Sequence, residues 1–111
     1  MDNKYFEFRL IIHDIDGFLN GFVSAINDVK QQVRQQPFLH NRIVGFAVVY
    51  GGAPDVGTIA QAQAIAGKVY SILAELGKEN FAFQRASYYL PLYSLGTDPS
   101  VVIVDVFLFI K

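Results

Sequence analysis

The chain has 111 residues, with nine lysines and arginines against ten aspartates and glutamates, and no cysteine. A net charge of −1 with scattered basic residues argues against a nucleic-acid partner, and a chain without cysteine has no thiol catalysis, disulfides or cysteine metal sites. At 52% hydrophobic and 17% charged, against about 45–50% and about 25% in an average globular chain, the sequence is short of charge for the surface of a monomer.

One domain over residues 1–111 is expected, large enough to bury about two-thirds of its unfolded surface. Residues 1–5 lead directly into an alternating segment, without the basic start and small-residue cleavage site of a signal peptide. No apolar run is as long as a membrane span, so the default expectation is a soluble cytoplasmic protein without a membrane partner. In the segment 5–12, Phe6, Phe8, Leu10 and Ile12 share one face of a strand, and Tyr5, Glu7, Arg9 and Ile11 the other. A helix is predicted from about 18 to 35, with an apolar stripe of Phe18, Phe22, Ile26, Val29 and Val33, closed by Pro37. The second strand, 43–50, is apolar throughout and reads as central, ending at Gly51-Gly52-Ala53-Pro54. A second helix starts near Thr58, which has capping-box spacing to Gln61, and stops at Gly77. Residues 81–93 read as a long strand bent near Pro91. A turn at 96–99 then leads into a last strand, 101–110, and these final two strands are expected to pair as an antiparallel hairpin.

The order β-α-β-α-β-β predicts an α+β two-layer sandwich: a four-stranded mixed sheet with two helices on one face, ferredoxin-like in general architecture. In the last strand nine of the ten residues from Val101 to Ile110 are apolar, the exception being Asp105. Such a strand needs cover on both faces, and two helices shield only one. The expectation is therefore a homo-oligomer, most simply a dimer, that acts as a binding or assembly module. Its interface would include Asp105, Phe107, Phe109, Arg9 and Arg85. Glu7 joins Arg9, Arg85 and Asp105 as charges that strand alternation can place on the uncovered face, where cross-strand or cross-subunit pairing would set register.

Three other constellations bear on chemistry. The run Leu10-Ile11-Ile12-His13-Asp14-Ile15-Asp16-Gly17-Phe18-Leu19 resembles the first motif of the haloacid dehalogenase-like phosphatases. That resemblance implies a magnesium-binding nucleophile at Asp14 and an acid–base at Asp16, although Phe18 stands where the family has threonine and the match spans about ten residues. The residues themselves favour two turn-solvating carboxylates, one of which caps the first helix; no metal or other cofactor is expected. The segment 52–58 has the glycine spacing of a phosphate loop without its lysine, and Asp55 opposes an anion there. Tyr50, Tyr88, Tyr89 and Tyr93 are candidates for a pocket that takes a small planar ligand, the alternative being a small pocket enzyme. His13 and His40 lack the spacing of a zinc site, and no serine sits in a nucleophile elbow.

Overall fold

Alternation in the first strand and 3.6-residue periodicity in the helices give each element one apolar side, and the fold gathers those sides into a single layer of core. The computed structural model describes residues 3–88 and 90–109, with the backbone alone for Asn3, Lys4, Tyr88 and Phe109. Its elements are β1 (Asn3–Ile11), α1 (Ile15–Leu19), α2 (Val23–Arg34), β2 (Ile43–Ala53), α3 (Ile59–Lys78), β3 (Ser87–Tyr88), β4 (Leu92–Leu95) and β5 (Val101–Phe109). The protein is an α+β two-layer sandwich, ferredoxin-like in general terms. Its five strand segments fill four positions in the order β1-β5-β2, with β3 and β4 in tandem along the other edge of β2. Among the described residues no helix is long and apolar enough to cross a membrane.

The last strand is central, and the expected hairpin does not form. β5 pairs antiparallel with β1, from Asn3↔Phe109 to Ile11↔Val101, and antiparallel with β2 on its other side. β3 and β4 pair only with β2, in parallel. The predicted strand over 81–93 is broken into these short pieces because residues 84–85 form a turn and Pro91, which has no amide hydrogen to donate, lies between them. To pass from β4 to β5 the chain crosses the end of β2, where the Gly96 amide bonds the Ala53 carbonyl at 2.7 Å. A Cβ on Gly52 would lie 1.9 Å from the Asp98 carbonyl oxygen, and one on Gly51 1.9 Å from that of Ala62 in α3. Those two glycines, expected to end the strand, are part of it and let backbone pass on both of its sides.

Phe8, Leu10 and Ile12, then Val44, Ala47 and Val49, then Val102, Val104, Val106 and Leu108 point to the helices. They meet Val29 and Val33 of α2, and Ile65, Val69, Ile72, Leu73 and Leu76 of α3. The predicted first helix is two helices, parted where Gly21 adopts a φ of 78°. Thr58 precedes α3 but turns back to Asp55, its hydroxyl donating to the Asp55 carbonyl at 2.8 Å, instead of forming a box with Gln61. The helix runs through Gly77 to Lys78, and the left-handed residue after it is Asn80, with φ 65°. Lys30 of α2 pairs with Glu75 of α3, its Nζ lying 2.9 Å from Glu75 Oε2, and both Lys30 and Arg34 pair with Glu79 at the helix's C-terminal cap.

Candidate functional site: the open face of the sheet

All the helical residues of the core lie on one side of the sheet, and strand alternation assigns the side chains of its other face. Across β1, β5 and β2 these form rows: Tyr5, Phe107 and Phe46; Glu7, Asp105 and Val48; Arg9, Ile103 and Tyr50, which Leu92 of β4 continues. Among the described residues no helix covers these rows. Tyr5 is 51% exposed and Ile11 39%, whereas Phe46, Val48, Tyr50, Ile103, Asp105 and Phe107, flanked by neighbouring strands, are half-buried.

The first row is aromatic across three strands. The Phe107 ring stacks on Phe46 with centroids 4.0 Å apart and meets Tyr5 at 5.0 Å. Next to it two acids face each other, since Glu7 and Asp105 are direct cross-strand partners. Burial pushes the Asp105 carboxyl up; the Tyr5 hydroxyl draws it down, and the nearby Glu7 pushes it up again. The Tyr5 phenol is pushed up to about 12, chiefly by its hydrogen bond to Asp105. Asp105 Oδ1 is buried and has no hydrogen-bond partner among the described residues. Arg9, on the same face of β1, makes no ion pair among them.

A groove of about 490 Å³ runs along this face, with Phe46, Val48, Tyr50, Asp105 and Phe107 as its floor and Leu90 and Leu92 as its wall. Of the predicted pocket residues whose side chains are described, Tyr50 lines it and Tyr93 does not. Tyr93 pairs with Gly51 and so projects from the helix side of the sheet, 40% exposed. The side chain of Tyr88 and the whole of Tyr89 lie outside the described residues, as does the side chain of Phe109. Arg9, Asp105 and Phe107 share the open face as expected, but Arg85 sits exposed in the turn before β3 and not on a strand. Phe46 and Val48 were not foreseen. Both apolar sides of the second strand were visible, but an extra residue at Gly45 shifts the register between Val44 and Phe46 and decides which side is outward.

The remaining candidates serve local structure. Asp14 Oδ1 accepts the Gly17 amide at 2.9 Å and caps α1, while Asp16 is exposed in its first turn. His13 lies 3.9 Å from Asp28 across a polar crevice also lined by Asp14 and Ser24. His40 Nε2 lies 2.8 Å from the Arg34 carbonyl oxygen. No cluster of three or more histidine or acidic side chains able to hold a metal occurs among the described residues. Over 52–58, the segment with phosphate-loop glycine spacing, the chain leaves β2 after Ala53 and makes a single 3-10 turn at Val56–Thr58, capped by Asp55. Comparison of the chain with protein-family models and with curated protein sequences finds no match.

Proposed function

We propose that this protein is a homo-oligomeric binding or assembly module whose basic unit is a dimer packed open face to open face. The observation that carries this reading is the row of Tyr5, Phe107 and Phe46, which no helix covers among the described residues, set among Val48, Tyr50, Ile103 and Leu92. Four strand positions at about 4.8 Å spacing and strands about 30 Å long give a face of roughly 600 Å² in projection. Side-chain relief brings that near the about 800 Å² that each partner contributes to a stable interface, whose core is typically rich in aromatic residues. A second copy supplies such a surface by symmetry.

The groove beside Tyr50 favours a second reading, in which the module holds a small planar, largely apolar ligand. Asp105 and Tyr50 are the ionisable groups among its lining residues, so its polar recognition would rest on them. In a face-to-face dimer the partner would roof the groove.

Light scattering tests the assembly. The wild type is expected at twice the chain mass at micromolar concentration, and Phe107→Glu at the single-chain mass with an unchanged circular dichroism spectrum. A monomeric wild type would refute the proposal.

A further inference from the structure

The open face carries its own electrostatic complement, displaced by one row. Glu7 and Asp105 stand together in one row and Arg9 in the next, on the same strand as Glu7 and two residues along. Within one chain Arg9 makes no ion pair among the described residues, and the charged neighbour that bears on Asp105 is the like-charged Glu7. Two like-charged carboxyls side by side on an apolar surface call for a cation when that surface is covered.

Resting on the dimer proposed above, we infer that Arg9 of each copy docks on the Glu7–Asp105 pair of the other, and that this contact sets how the two sheets are superimposed. Symmetry selects the arrangement. A two-fold axis relating two stacked faces lies in the plane between them. An axis parallel to the strands keeps each row over itself and sets acids against acids. So does an axis that crosses the strands at the Glu7 row. An axis that crosses them at Phe8, halfway between the two charged rows, exchanges the rows: Glu7 meets the partner's Arg9, and Arg9 meets the partner's Glu7. The same operation places Tyr5 over the partner's Ile11, Phe107 over the partner's Val101 and Val48 over the partner's Tyr50, while Asp105 comes to lie over the partner's Ile103 and Phe46 at the Gly52 end of the partner's β2. Stacked sheets lie about 10 Å apart, a gap that an arginine and a glutamate reaching toward each other bridge. Asp105, the direct cross-strand neighbour of Glu7, lies within reach of the same guanidinium.

Charge reversal by mixing reads this contact. Glu7→Arg and Arg9→Glu are made in separate chains, and sedimentation measures the dimer dissociation constant of each alone and of an equimolar mixture. Each variant alone sets like charges together at both symmetric contacts, and its dissociation constant is expected to rise roughly tenfold or more. The mixture makes two opposite-charge contacts and is expected to recover a dimer close to the wild type. Variants that dimerise as tightly as the wild type, or a mixture no tighter than its components, would overturn the inference. A wild type still dimeric and still dissociated by Phe107→Glu would then leave the open-face dimer standing, whereas a monomeric wild type removes both. If a reversed chain does not fold, Glu7→Gln and Arg9→Gln give the answer: the wild-type dimer should weaken as salt rises from about 0.05 to about 0.5 M and the neutral variants should not. A salt-independent wild-type dimer would overturn the pairing.

Discussion

Asp98 folds back on the chain that it turns: its Oδ1 accepts the Ser100 hydroxyl at 2.6 Å and the Ser100 amide at 2.8 Å. Those bonds, the hydroxyl's first, hold the carboxyl below its ordinary value of 3.8. They shape the crossing over Gly52 that delivers β5 to its slot. A carboxyl lowered in the folded state adds stability above its unfolded value and loses it as pH falls through the folded one. Asp98→Ala is therefore expected to lower the thermal midpoint at neutral pH, with the gap to wild type narrowing as pH falls toward about 2. A gap of constant size across that range would show that the charge is not what matters. At the same scale Asp14 behaves as its place between strand and helix suggested, spending its side chain on the Gly17 amide.

Between elements, one side chain completes the edge of the sheet. The Gln32 amide of α2 meets both polar groups of Ile11 at the end of β1, accepting from its N–H and donating to its carbonyl, each at 2.8 Å. The amide takes the place of a neighbouring strand for one residue and pins α2 to β1. Gln32→Ala is expected to destabilise the fold by about 1–2 kcal/mol in denaturant unfolding, the range for two partly exposed backbone bonds. A loss below about 0.3 kcal/mol would mean that water replaces the amide without cost. No local pattern reveals this tie, because 21 residues separate its partners and a glutamine on a helix is ordinarily a solvated residue.

For the molecule as a whole, β5 is the keystone, because it alone among the described strands pairs with β1 and joins it to β2. Folding must therefore wait for a segment at the far end of the sequence, and the pairing of β1 with β5 is of high contact order. Deleting residues 101–111 should abolish cooperative unfolding and leave a collapsed or aggregating chain. A truncated chain with a sharp thermal transition would show that β1 finds another partner. The same central place makes β5 the floor of the open face, so its inward Val104 and Val106 build the core while Asp105 and Phe107 serve the surface proposed for the second copy.

Period and polarity along the chain were enough to establish the α+β alternation, though not the break at Gly21 or the division of 81–93 into β3 and β4, together with the helical stripes of Val29 and Val33 and of Ile65 to Leu76 and the outward set of Glu7, Arg9, Asp105 and Phe107. Each of these follows from the side chain's own class and from its nearest neighbours in sequence. Strand order did not follow, because nothing local in Val101–Phe109 tells a hairpin with β4 from insertion between β1 and β2. The short crossing over Gly52 and two available edges decided it. Nor did the outward side of β2: one extra residue at Gly45 reverses the parity of a strand that is apolar on both sides, so Phe46 joins the surface and Ala47 the core. Tyr93 went astray for the same reason, since a residue's face is defined only once its strand has a partner and a register, set by hydrogen bonds to segments far away in the sequence, whereas Arg85 lies in a turn where the sequence had suggested a continuous strand.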